Sequence, residues 1–235
     1  MNSTTNTHQL NPNAIGLCTL GRHIAAKGWL SATGGNLSIR NGEHGCLISS
    51  SGKDKGDLSP KDLLQIDWHA AELTTSPQPS QGADQTALHW RAAGPQRPSA
   101  ETELHVAIYQ LYPSTKAVLH THSISATVLS RLCLQHVVSF QGYEMAKAIA
   151  GVTTHEHTLQ LPLFDNTQHL PSLASALKET HQARQAEGGL PYGFLVRGHG
   201  LYVWGDSLED AKRHLEAYEF LLACELEQLK IRSLG

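Results

Sequence analysis

The chain has 235 residues, 40% of them hydrophobic and 17% charged, a length and composition that build a core without disulfides or a structural metal. Its net charge of -3 gives no basic footprint for nucleic acid or anionic lipid, and no apolar run reaches the ~18 residues of a membrane span. Four scattered cysteines without a Cys-x-x-Cys pair predict reduced thiols, and the polar stretch Met1 to Asn13 lacks a leader pattern, so a cytoplasmic protein is expected.

Pro12 suits a first helical turn, and Ile15, Leu20 and Ile24 recur near helical spacing up to Gly28, which predicts a first helix. Strands are predicted over Leu37 to Arg40, Cys46 to Ser49 and Leu63 to Asp67. Ser76 to Pro98 is rich in Pro, Gly, Gln and Ser and reads as a long surface loop, an insertion at 76–98. A helix is expected from Ser99 as N-cap, with Glu101 and Glu103 in its first turn, an apolar face of Leu104, Ile108 and Leu111, and Pro113 as its stop. Ala117-Val118-Leu119 signals a buried strand that runs into His120-Thr121-His122. Next come a helix over Ser123 to Leu132, a strand over His136 to Phe140, a helix over Gly142 to Ala150, a strand over Thr158 to Phe164 and a helix over Ser172 to Ala186. Gly193 to Val196 and Leu201 to Trp204 read as strands joined through Gly198-His199-Gly200. The last helix opens on Ser207 and Asp210 in capping-box fashion, and Leu208, Ala211, Leu215, Tyr218, Leu222, Leu226 and Leu229 form one stripe, core or interface. With no repeat and no second boundary, 1–235 reads as one mixed α/β domain.

Histidine is over-represented, 15 residues against 18 Lys plus Arg. In a strand, residues i and i+2 share a face, so His120 and His122 present two imidazoles side by side. Such a pair can hold one zinc ion if a third ligand arrives from elsewhere. His199 is the candidate, because the glycines on both sides allow a sharp turn. His155 and His157 form a rival pair in a polar loop, and His105 lies one helical turn after Glu101, where the two can bind metal or simply pair. Three turns have anion-binding chemistry: Thr33 to Ser38 around Gly34-Gly35-Asn36, Ser49-Ser50-Ser51-Gly52-Lys53, and the predicted helix start at Ser99 to Glu101. Together they suggest a phosphorylated substrate.

The turn at Thr33 to Ser38, Ser51-Gly52, Pro98-Ser99-Ala100-Glu101, His120-Thr121-His122 and Gly198-His199-Gly200 resemble, in order, the motif series of the class II aldolase/adducin family across Ala14 to Leu229. That resemblance implies a single three-layer α/β/α domain around a central mixed, mostly antiparallel sheet. It implies one Zn²⁺ per subunit on His120, His122 and His199. By the resemblance, phosphate contacts come from the turns carrying Gly35 with Asn36, Ser51 with Gly52, and Ser99 with Ala100; the turn chemistry adds Lys53 as a candidate contact. Glu101 falls where the family keeps a catalytic carboxylate near the metal, and the segment before it looks inserted relative to known members. Three stretches, Gln141 to Lys147, Leu161 to Asn166 and Leu201 to Gly205, resemble the members that dehydrate a ketose phosphate, in which the counterpart of Glu144 is the general acid/base. The family assembles as tetramers with sites at subunit junctions, so a homo-oligomer with a small sugar-phosphate substrate is expected. An aldolase or epimerase with Glu101 as base, or an adducin-like binding head without activity, are the competing readings.

Overall fold

The computed structural model describes residues 11–68, 88–94 and 96–233. In chain order, the helices are α1 (Pro12–Ala26), α2 (Thr102–Leu111), α3 (Ile124–Leu132), α4 (Leu170–Ala183) and α5 (Leu208–Arg232). The strands are β1 (Asn36–Arg40), β2 (Gly45–Ser49), β3 (Leu63–Asp67), β4 (Arg91–Ala93), β5 (Ala117–Thr121), β6 (Val137–Phe140), β7 (Leu159–Phe164), β8 (Gly193–Val196) and β9 (Gly200–Gly205). They form one sheet in the order β4-β3-β2-β1-β5-β9-β8-β7-β6. Every neighbouring pair is antiparallel except β7 and β8.

Helices cover both faces of this sheet, which is why its central strands read as continuous apolar runs rather than alternating ones. On one side Leu17 and Ile24 of α1, Leu129 of α3, and Leu215 and Leu222 of α5 pack on Leu37, Leu119, Leu201 and Val203. On the other, Leu104 and Ile108 of α2 with Leu173 and Leu177 of α4 pack on Ile48, Ile66, Val118, Tyr202 and Trp204. Consecutive residues of β5 and β9 therefore enter opposite cores, the period-2 rule at work. The expected three-layer α/β/α order and mostly antiparallel sheet are present. Among the described residues no helix is long and apolar enough to cross a membrane, and all four cysteines are free.

Several boundaries differ from expectation. Ile15 points outward, and α1 buries Ala14, Leu17, Cys18, Leu20 and Ile24 instead. The predicted loop is partly a strand: residues 91–93 pair with β3, while 76–87 lie outside the described residues. Its far end is tied down by Glu103, whose carboxylate accepts from the Leu88 N–H and the Trp90 indole N–H, each at 2.6 Å. Glu103 lies in the first turn of α2, as expected, and is buried there as an acceptor. The segment Gly142 to Ala150 is shorter than an α-helix and forms a 3-10 turn over Glu144–Ala148. The α5 stripe is core from Ala211 to Leu226, and Leu229 reaches the surface.

Glu219 of α5 is buried behind the end of β5, where the Thr121 hydroxyl donates to its Oε1 at 2.9 Å. Burial pushes its pKa up to about 7, against the pull of the Ser123 and Thr121 hydroxyls. A carboxyl that holds its proton more tightly folded than unfolded contributes stability present below its ordinary value of 4.5 and lost as pH rises toward 7. At about 1.4 kcal/mol per pH unit, this withdraws on the order of 3 kcal/mol across that window. Glu219→Gln removes the titration, so its melting temperature relative to the unsubstituted chain rises between pH 5 and pH 8. A difference that stays constant with pH contradicts the assignment.

Candidate metal centre

The centre is built on the register of two strands. β5 pairs with β9 so that His120 faces Tyr202 and Thr121 faces Leu201. This sets the tip of the β8–β9 hairpin beside the end of β5. At that tip the His199 N–H bonds the Val196 carbonyl at 3.0 Å, and Gly198 supplies the positive φ of 65° that a tight reversal needs. Thr127 of α3 braces the hairpin by donating to the His199 carbonyl at 3.2 Å. The outcome is that His120 Nε2 lies 2.8 Å from His122 Nε2 and 3.4 Å from His199 Nε2.

Glu101 completes the group. Its Oε1 is 2.8 Å from His199 Nε2 and 3.4 Å from His120 Nε2, and one ligand atom from each of the four residues lies within 4.8 Å of the others. Tetrahedral bonds of about 2.0–2.1 Å place neighbouring nitrogens about 3.3 Å apart, close to the spacing seen here. The protonation pattern also fits a cation. His120 donates from Nδ1 to the Leu201 carbonyl at 3.0 Å, which turns its Nε2 inward toward the other members of the group. Tyr202 stacks on the same ring at 3.8 Å between centroids and fixes its plane. Burial, then the neighbouring His120 and His199, push the His122 pKa down to about 3, so this ring is a neutral donor of electrons. Glu101 is 18% exposed; burial raises its pKa, but the bonds and charges of His120 and His199 outweigh that and hold it far below the usual range.

A cleft of about 880 Å³ opens over this group, lined by Ser51, Arg97, Ser99, Ala100, Glu101, His122, Thr127 and His199, with Trp90, Leu104, Leu170 and Leu173 as apolar wall. Of the expected anion contacts, Ser51, Ser99 and Ala100 therefore stand in the cleft. Glu101 precedes α2 rather than lying in its first turn, because the helix begins at Thr102, and Ser99 Oγ instead accepts from the Glu101 N–H at 3.3 Å. Gly35, with φ of 69°, passes so close to β5 that a Cβ would meet the His120 carbonyl at 2.5 Å. Asn36 spends its amide on Glu101 and His105. Lys53 is not in the cleft: its Nζ pairs with Asp62 at 3.0 Å, and Gly52 serves the same turn with φ of 72°. Among the described lining residues Arg97 is the Lys or Arg side chain, unmarked by any motif except its place before Pro98-Ser99. Lys55 was also unforeseen. It is buried and donates to the Thr33 carbonyl at 2.6 Å, holding the turn that leads to Asn36.

The remaining candidates lie apart from the centre. The His105 ring bonds Ser38 and Asn36 rather than the Glu101 carboxylate, and its backbone N–H meets the Glu101 carbonyl at 3.4 Å. His155 and His157 are exposed, and His155 Nδ1 lies 3.2 Å from Glu144 Oε1. Glu144 is 66% exposed, pairs with Lys147 and is absent from the cleft lining, with a pKa lowered by the Lys147 hydrogen bond.

This fold and this four-residue group define a class. Residues 16–226 match the family described as the class II aldolase and adducin N-terminal domain, and the chain belongs to that family. Methylthioribulose-1-phosphate dehydratase of Citrobacter koseri is 45% identical over 213 residues, covering 91% of this chain and 93% of that protein. The enzyme of the same name from Yersinia enterocolitica is 45% identical over 208 residues, 87% of each chain. Among solved structures, L-fuculose-1-phosphate aldolase from Thermus thermophilus superposes with a TM-score of 0.67 at 21% identity, covering 94% of this chain and 97% of that one. A sugar-phosphate aldolase from Thermotoga maritima gives 0.58 at 17% identity, covering 95% and 96%. These two establish the fold.

The geometry makes a direct prediction for metal binding. Calorimetric titration with Co²⁺ should give one site per chain, and His199→Ala should weaken it by at least about 100-fold. His155→Ala should leave it unchanged, and the reverse order of effects would move the site to the rival pair.

Proposed function

We propose that the chain is a hydro-lyase that converts 5-methylthioribulose-1-phosphate to 2,3-diketo-5-methylthiopentyl-1-phosphate, a step of methionine salvage, with one zinc ion per subunit. The observation that carries this reading is the convergence of Glu101, His120, His122 and His199 beside a cleft whose lining includes Ser51, Arg97 and Ser99. The sequence identity to methylthioribulose-1-phosphate dehydratases supplies the substrate. Zinc, when bound, supplies Lewis-acid polarisation of the substrate carbonyl.

The chain's own groups do the rest. The Ser51 and Ser99 hydroxyls, the backbone around Gly52 and Ala100, and the Arg97 guanidinium bind the phosphate, while Gly35 and Asn36 shape the wall behind it. The apolar wall of Trp90, Leu104, Leu170 and Leu173 suits the methylthio end better than a hydroxylated sugar tail. A substrate anchored at both ends presents C3 to a carboxylate. That carboxylate takes the C3 proton and returns it to the C4 hydroxyl, which leaves as water, and the resulting enol tautomerises to the diketone. Among the described residues that line the cleft, Glu101 is the carboxylate. Glu144, to which the resemblance also assigns acid/base work, reaches a substrate across an interface between copies.

A homo-oligomer, a tetramer by the resemblance, is part of the same proposal. Ile124, Val128 and Leu132 line one exposed edge of α3, with Ile124 76% exposed, and Leu134 just beyond it is 95% exposed. Four apolar side chains left in water beside the cleft favour burial against a second copy. The free thiols suit a reducing cytoplasm.

Diketone formation should be measured for Glu101→Gln and Glu144→Gln, each with zinc content verified. At least one should lose turnover by about 100-fold or more. Cleavage products from fuculose-1-phosphate with no diketone from the methylthio substrate would replace this reading by an aldolase. In sedimentation, the unsubstituted chain should run as an oligomer and Leu134→Glu as smaller species. A monomeric unsubstituted chain would remove the route proposed for Glu144.

A further inference from the structure

Behind Glu101 runs a line of buried polar groups that the reaction does not consume. Glu101 Oε2 accepts from Asn36 Nδ2, and the Asn36 carbonyl oxygen faces His105 Nε2. On the far side of the ring, His105 Nδ1 lies 2.7 Å from Ser38 Oγ, which in turn lies 2.9 Å from the Tyr109 hydroxyl. Asn36, Ser38, His105 and Tyr109 are all buried. Two periodicities meet to build the line: Asn36 and Ser38 share one face of β1, and His105 and Tyr109 share one face of α2.

Its direction is forced from the Glu101 end. An ionised carboxylate only accepts, so Asn36 must present its NH₂ to Glu101 and its oxygen to His105. His105 must then carry its proton on Nε2, leaving Nδ1 to accept from Ser38, and Ser38 to accept from Tyr109. Each proton is used once and each side-chain group is paired. Neutrality of the ring agrees with its surroundings, since burial and then His120 lower the His105 pKa to about 3.

We propose that His105, backed by Ser38 and Tyr109, is a positioning residue that locks the Asn36 amide so that it grips Glu101 Oε2 and leaves Oε1 facing the metal-binding histidines. Without the lock, the Asn36 amide loses its second anchor and is free to swing away from the carboxylate. The inference rests on the reading that Glu101 works at this centre.

The first test needs no variant. In ¹⁵N-histidine spectra of the zinc-loaded full chain, the His105 resonance, identified by its loss in His105→Gln, should show a protonated Nε2 and a bare Nδ1. A proton on Nδ1 overturns the proposal. In kinetics, His105→Leu should lower kcat by about 100-fold with KM within about threefold, and weaken zinc binding, measured by chelator competition, by about 10-fold. His105→Gln, which restores an N–H toward Asn36, should recover most of both. Leucine and glutamine variants of equal activity and zinc affinity would also overturn it. If the unsubstituted chain forms no diketone, the dehydratase reading fails by itself, and the spectra and zinc competition still decide the line.

Discussion

Three imidazole rings crowd one point: the fold holds His120, His122 and His199 with neighbouring Nε2 atoms 2.8 to 3.4 Å apart. The restraint is the β5–β9 ladder, which opposes His120 to Tyr202 and delivers the hairpin tip to the end of β5. Antiparallel pairing has a period of two, so a slip of one residue would turn His120 out of the cluster and bury a different side chain. Two fully covered cores, one on each face, specify that register. The stability of the sheet maintains this crowding, and Glu101 pairs with His120 and His199 within it.

Around this nucleus the polar groups are oriented rather than merely near. The Leu201 carbonyl selects which His120 nitrogen is protonated, and Tyr202 sets the plane of the ring. Glu101 divides its two oxygens, one toward the histidines and one held by Asn36 and Ser99. Lys55 holds the turn before Asn36 from below. Buried polar groups are costly when unpaired, so the mutual pairing of Asn36, Ser99 and Glu101 resists rearrangement.

Much of this was legible in one dimension. The alternation His120-Thr121-His122 after an apolar run is a strand signal, and Gly198-His199-Gly200 is a turn signal, because both depend on local backbone sterics. The α5 stripe and its Ser207 cap follow from the same local rules, and Asp210 N–H does bond Ser207 Oγ at 3.0 Å. Less visible were contacts between segments distant in sequence. Lys53 carries the charge that a phosphate turn invites, but Asp62 takes it, and Arg97 enters the cleft because the Ser51 N–H binds its carbonyl at 3.0 Å. Glu101 reads as a helix-dipole acid until β1 brings Asn36 to it. The span 142–150 has helical spacing but closes as a 3-10 turn.

What the sequence by itself determined is the set of local conformations: which residues alternate, which turn, and which stripe of each helix is apolar. These depend on neighbours within a few positions along the chain. The tertiary structure decided which histidines meet, which carboxylate joins them, and which cation faces the cleft. Those choices depend on strand register and on competition among partners distant in the chain, as in Thr121 with Glu219, 98 residues apart, or Asn36 with Glu101, 65 apart, and only the assembled sheet resolves that competition.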